Sequence, residues 1–239
     1  MSVNNYRWAT EILARRYPDW SGIDAVLAGA IRAYFPADGF VLDVGCGKSS
    51  PVAEYRQQAR FMAGTDIDLD EIRSNHDFHA LVVSDGARLP FAARRFDLLL
   101  SKTAIEHMRE PAEFFAGVHR VLKPGGVFIW ATSNLRSLPI LVSRITPLGL
   151  HRWVYRRLFG RDLHLEQFPT HYRANTEAVV DRQLAATGFA KLALHRASWP
   201  LYFAFSRPLF RAMLPVHRWA DRVGIQLLQV HLIGIYRKR

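Results

Sequence analysis

Short apolar runs, each stopping at an acid, a glycine or a serine, recur through the first 133 residues of the chain. They are Phe40 to Val44, about 60–66, Leu81 to Val83 before Ser84-Asp85-Gly86, Phe96 to Leu100, and Val127 to Ala131. Runs of this length and composition read as strands buried on both faces. Helical stretches separate them. Asp68 and Glu71 have the spacing of an N-cap and its third-residue partner. Pro111 to Leu122 has helical periodicity, and Lys123-Pro124-Gly125-Gly126 stops it. Farther on, a helix at about 175–187 ends at Gly188, a strand follows near 190–197, and Leu227 to Tyr236 reads as a last strand. Strand, loop and helix in alternation predict a doubly wound α/β fold, a parallel sheet with helices on both faces.

In such sheets ligands lie beyond the carboxyl ends of the strands. Asp43 with Gly45, Asp66, Asp85 and Ser101 all fall at those ends. The loop Gly45-Cys46-Gly47-Lys48-Ser49-Ser50 invites two readings that both fail. A triphosphate loop needs a glycine five residues before its Gly-Lys pair, where this chain has Leu42. A dinucleotide loop needs its third glycine at position 50, where this chain has Ser50, although Asp66 lies where a ribose-binding acid is expected. Asp43 opposes a pyrophosphate and suits a cationic ligand. S-adenosylmethionine carries a sulfonium and an ammonium group, a ribose and an adenine, and no phosphate.

Val41-Leu-Asp-Val-Gly-Cys-Gly47, Gly64-Thr65-Asp66, Asp85-Gly86-Ala87 with Leu89-Pro90-Phe91, Phe96-Asp97-Leu98, Ile105-Glu106-His107 and Leu122-Lys-Pro-Gly-Gly126 together resemble class I S-adenosylmethionine-dependent methyltransferases. The group most resembled is the type 11, ubiquinone/menaquinone-methyltransferase-like one, over residues 38–133. The resemblance implies a Rossmann-like seven-stranded sheet with its last strand antiparallel and with helical lid insertions. It implies that Gly45, Cys46 and Gly47 pass under the methionine part of the cofactor, with Asp43 near its ammonium. Asp66 then binds the ribose hydroxyls and Ile67 packs on the adenine. Asp85 accepts from the adenine amino group, the Gly86-Ala87 backbone meets the ring edge, and Ser101 faces the methyl end. Lys48-Ser49-Ser50 departs from the family pattern at the third small position.

Methyl transfer from an activated sulfonium needs positioning first, and a general base only for a hydroxyl or amine acceptor. His107 is the first candidate base, with packing beneath the cofactor as its alternative role. His171 and Tyr172, in Phe168-Pro-Thr-His-Tyr-Arg173, are candidates on a segment able to fold over the pocket, or else a buried anchor. His164 and Glu166 come behind them. No metal site is expected, because the ten histidines are scattered and the single cysteine, Cys46, lies in the cofactor loop. Cys46 reads as a small apolar filler, not a nucleophile.

Charge divides the chain. Residues 1–133 hold 15 basic and 16 acidic side chains, and residues 134–239 hold 17 and 5. The expected division is one methyltransferase domain over 1–239. It comprises an N-terminal helical cap (1–36), a cofactor-binding core (37–133), a basic apolar lid (134–174), and the C-terminal half of the sheet with an amphipathic insertion (175–239). Pro208 and Pro215 are expected to break that insertion. Segments 144–161 and 207–224 interleave arginines with bulky apolar residues and tryptophan, which suits an anionic membrane surface or a lipid-linked substrate. Solvated lid or dimer helices are the alternative.

A charged first 20 residues, one cysteine and no long apolar run place the expected protein in the cytoplasm, or peripheral to a membrane. The reaction expected is methyl transfer to a small-molecule, lipid-linked or glycan-type acceptor, at oxygen. An RNA methyltransferase, and a non-catalytic cofactor-binding module docked on a membrane or protein partner, are the competing readings. No separate RNA-binding module is visible.

Overall fold

Leu42, Leu99 and Phe128 are wholly withdrawn from solvent, and their strands form the middle of a sheet. The computed structural model describes residues 4–146, 149 and 169–239. Its strands are β1 (Phe40–Val44), β2 (Phe61–Asp66), β3 (Ala80–Val83), β4 (Phe96–Lys102), β5 (Leu122–Ser133), β6 (Phe189–Ser198) and β7 (Gln229–Lys238). They form one seven-stranded sheet in the order β3-β2-β1-β4-β5-β7-β6, with the last strand antiparallel. Strands β3, β2, β1, β4 and β5 run parallel, and Asp43 stands level with Gly64 on one side and Leu100 on the other. This is the α/β architecture that the alternating pattern predicted.

Chain contacts divide the molecule into two compact units. One comprises Ile23–Ser133, Thr170–His195 and Leu232–Arg239; the other comprises Met1–Gly22, Asn134–Pro169 and Arg196–His231. The first holds most of the sheet, with α2 (Ile23–Tyr34), α3 (Leu69–Arg73), α4 (Pro111–Val121) and α6 (Glu177–Ala186). Pro111 opens α4, where a missing N–H costs nothing. Phe114, Phe115, Val118 and Val121 then bury its inner face against Phe128 and Phe189. Each such side chain contributes about 1.5–3 kcal/mol before the entropy of ordering it is set against it. Gly234 is required by packing, because a Cβ there would lie 2.4 Å from the Trp130 indole. Trp130 in turn stacks on Tyr236, 6.0 Å between ring centres.

The second unit is helical: α1 (Asn4–Arg16), α5 (Leu138–Ile145) and α7 (Arg207–Val223). Ala9, Leu13 and Tyr17 pack with Leu201, Phe210 and Leu214, and Trp8 meets Phe210 edge-on at 5.3 Å. Asp221 joins distant pieces of this unit by accepting from the Tyr17 hydroxyl at 2.6 Å and the Ser198 hydroxyl at 2.7 Å.

Two details differ from the sequence pattern. The Lys-Pro-Gly-Gly segment does stop α4, but it lies inside β5 as a bulge. Phe96 pairs with Leu122 and Leu98 with Val127, so the extra residues are looped out, with Gly125 at φ 78°. The stretch around Pro208 and Pro215 is not broken; it is the continuous helix α7. Pro208 sits in the first turn, where its missing N–H is harmless. Pro215 costs one internal hydrogen bond, and burial of Phe210, Leu214 and Ala220 on the helix's inner face outweighs it.

Candidate functional site

The loop after β1 is shaped by two residues in left-handed conformation, Gly45 at φ 79° and Gly47 at φ 49°. At Gly45 a side chain is excluded twice, by that angle and by Ala104, whose Cβ would lie 2.6 Å from an added Cβ. The Gly45 and Cys46 amides both donate to the Thr65 carbonyl, at 2.8 and 3.2 Å. The Gly47 amide donates to Asp66 Oδ2 at 2.9 Å, and the Gly47 carbonyl accepts from Asn75 Nδ2 at 2.7 Å. Ser50, standing where a dinucleotide loop has glycine, braces this turn. Its hydroxyl donates to Asp43 Oδ2 at 2.5 Å and its amide to Asp77 Oδ2 at 2.9 Å.

Asp43 is buried to 1 % exposure, and its Oδ1 has no hydrogen-bond partner among the described residues. Burial pushes its carboxyl up to about 7. Ser50 and Lys102 pull the other way, while Asp66 and Asp77 add to the rise. An orphaned buried carboxylate oxygen is costly unless something binds it. Ser101, inside β4, is likewise fully buried, with its hydroxyl unpartnered among the described residues. Burial raises the Cys46 thiol far above its ordinary range, with Asp43 and Asp66 adding to the effect, which leaves it an inert filler.

At the end of β2, Asp66 accepts from the Gly47 amide through Oδ2 and from the Asp68 amide, at 3.1 Å, through Oδ1. Each oxygen keeps a further lone pair for a hydroxyl. Ile67 beside it is 55 % exposed, an apolar shelf of the kind a flat ring covers. Asp85 is exposed and caps the turn 86–88 by accepting from the Ala87 amide at 2.9 Å. Gly86 is buried, and an added Cβ would meet Met108 at 2.7 Å. The fold therefore carries Asp43, Asp66, Asp85 and Ser101 on four neighbouring strand ends. This set suits a ligand with a cationic group, a diol and a planar ring.

The acceptor-side candidates are also brought together. His107 lies half-buried in the turn 105–107 after β4. The backbone amides of His171 and Tyr172 both donate to the Glu106 carbonyl, at 2.7 and 3.1 Å, and Tyr172 has a φ of 51°. Sequence reasoning missed what anchors this junction. The Glu106 carboxylate is buried and accepts from the Thr132 hydroxyl at 2.7 Å and the Ser133 hydroxyl at 3.2 Å. Asn175 Nδ2 donates to Thr132 Oγ1 at 2.8 Å and to the Ser133 carbonyl at 3.0 Å. A carboxylate next to a candidate histidine was the available signal. His164, Glu166 and Trp153 lie outside the described residues. Among the described residues no group of His, Cys, Asp and Glu is placed to hold a metal.

Comparison with known proteins agrees with this geometry. Residues 42–130 match the sequence profile described as Methyltransferase domain. A malonyl-[acyl-carrier protein] O-methyltransferase of Pseudescherichia vulneris is 33 % identical over 104 residues, covering 42 % of this chain and 41 % of that protein. A ubiquinone biosynthesis O-methyltransferase of Caulobacter vibrioides is 33 % identical over 147 residues, covering 52 % and 56 %. The chain thus spans about half the length of these curated relatives. An S-adenosylmethionine-dependent methyltransferase from Mesorhizobium loti has the same fold, with a TM-score of 0.59 at 20 % identity over 88 % of this chain and 96 % of that one. Motif series, sheet order and relatives converge: residues 42–130 match a methyltransferase domain, and the chain is similar in sequence and fold to S-adenosylmethionine-dependent methyltransferases.

Proposed function

We propose that the protein transfers a methyl group from S-adenosylmethionine to an oxygen of a small-molecule, lipid-linked or glycan-type acceptor. The observation that carries this reading is the row of strand-end groups, above all the unpartnered, buried Asp43 Oδ1 beside a glycine loop that no phosphate ligand explains. Asp43 would take the ammonium, Gly45 to Gly47 the methionine backbone, Asp66 the ribose diol, and Ile67 with Asp85 to Ala87 the adenine. Ser101 would donate its hydroxyl at the methionine end. When bound, the cofactor supplies an electrophilic methyl group, so the chain's own task is orientation and exclusion of water.

His107 or His171 would take the proton from a hydroxyl acceptor, and a carboxylate acceptor needs none. Both relatives described above are O-methyltransferases by name, which supports oxygen as the acceptor atom. Calorimetry should show S-adenosylhomocysteine binding to the wild type, weakened about 100-fold in Asp66→Ala, which removes an acceptor of charged strength. Absence of binding, with NAD binding in its place, would sink the reading.

A further inference from the structure

Helix α7 carries three stripes where an ordinary surface helix carries two. Phe210, Leu214, His217 and Ala220 are buried. Arg207, Arg211, Arg218 and Arg222 follow one another at intervals of four, seven and four along a second face. Leu209, Ala212, Val216, Trp219 and Val223 form a third, at intervals of three and four, and all five are exposed, Trp219 to 59 %. Single exposed apolar residues are ordinary, but a complete helical row is not. A second such row lies in the same unit. Leu138, Leu141, Val142 and Ile145 of α5 are exposed at positions i, i+3, i+4 and i+7, Ile145 to 80 %. The turn 226–228, with Leu227 exposed, lies against both α5 and α7.

On the arginine face of α7, against α1, is a cleft of about 280 Å³ lined by Arg16, Arg211, Leu214, Pro215 and Arg218. Asp19 meets Arg218 and Arg222 at 3.2 and 3.6 Å, so one acid faces two guanidinium groups. No helix among the described residues is long and apolar enough to cross a membrane.

We infer that the helical unit docks on an anionic lipid surface. The exposed rows of α7 and α5 enter the boundary between headgroups and acyl chains, and the arginine cleft takes a lipid phosphate. Charge decides among the occupants. A second copy, packed face to face by symmetry, would bring one arginine stripe against its twin. RNA would satisfy the arginines and leave both apolar rows in water. An anionic bilayer satisfies both, and an exposed tryptophan beside arginines is the composition such interfaces select.

The inference does not depend on the methyl-transfer reading. Its test is co-sedimentation of the full chain with vesicles of phosphatidylcholine alone or mixed with phosphatidylglycerol. Retention is expected on the anionic vesicles and should fall as salt is raised. The double variant Val216→Ser with Trp219→Ser should bind about tenfold more weakly through lost apolar burial. Arg211→Glu should lose at least about fivefold.

Failure to sediment with anionic vesicles would overturn the inference, as would retention unchanged in the double variant. A dimer seen by light scattering, abolished in that variant and unaccompanied by vesicle binding, would assign the face to a second copy. Binding of S-adenosylhomocysteine, measured on the same samples, reads the sheet unit separately and keeps the two proposals apart.

Discussion

Asp43, buried, and Asp221, half-buried, are hydrogen-bonded carboxylates, one in each compact unit, and they are satisfied differently. Asp221 accepts from Tyr17, from Ser198 and, at 3.4 Å, from Gln229, so both of its oxygens are used. Those donors come from far apart in the chain, and the acid ties its unit together. Asp43 has one donor, Ser50, on one oxygen, and its other oxygen has none among the described residues. The saturated acid is an architectural part. The unsaturated one, at the end of a central strand, keeps an oxygen free for the ammonium proposed above. Counting lone pairs separates the two acids: the more deeply buried one is the one left unsatisfied.

If the helical unit is held by its own core, removing the centre of that core should leave the cofactor site untouched. Phe210 is fully buried against Trp8, and Phe210→Ala should cost about 3–5 kcal/mol. Chemical denaturation should show an earlier transition for this variant, while S-adenosylhomocysteine affinity under native conditions stays within about twofold, as expected for residues that share no partners. A parallel collapse of affinity would break the division between the two units.

The reverse test is Gly45→Ala. It forces a side chain into a left-handed angle and against Ala104. A stability loss of about 2 kcal/mol is expected from the angle and the contact together. The loop amides should also be displaced, with at least about tenfold weaker cofactor binding by calorimetry. The vesicle binding proposed for the other unit should not change.

The sheet unit was readable from sequence because its signals are local. An apolar run announces a strand, and Gly45, Asp66, Asp85 and Ser101 each fall at or just past the carboxyl end of one, where the sequence pattern put them. Ser50 was read as a defect in a glycine pattern. Only the folded loop shows its hydroxyl reaching back to Asp43. The helical unit was far less legible. Its key hydrogen bond joins Tyr17 to Asp221, 204 residues apart, and no periodicity encodes such a pairing. Pro215 misled for a related reason, since tertiary burial of α7 overrides a local breaker. The anchoring role of Glu106 has no local signature because its partners, Thr132 and Ser133, lie at the end of β5.

The smallest effect, and the sharpest on the contrast between the two units, is in pH dependence. Burial raises Asp43 from its ordinary 3.8 to about 7, so the folded protein holds that proton more tightly than the unfolded chain. The stability it contributes is full below about 4, is lost as pH rises to about 7, and stays lost above. Burial lowers His217 from its ordinary 6.5, with Asp221 opposing. Its contribution has the opposite sign: present above 6.5 and lost as pH falls.

Asp43→Asn keeps the shape and removes the charge. Relative to wild type, it should therefore gain stability between pH 5 and pH 8, while its acid loss through His217 remains. Binding behaves in reverse. A cationic ammonium favours the carboxylate over the groups that oppose it, Asp66 and Asp77. Wild-type affinity for S-adenosylhomocysteine should rise with pH through about 7 and release protons at pH 6. The asparagine variant should bind about tenfold more weakly at pH 8, equivalent to about 1.4 kcal/mol, with the pH slope gone. Calorimetry in two buffers of different ionisation enthalpy reads that proton directly. A variant that bound as tightly as wild type, with the same slope, would make Asp43 a structural acid like Asp221.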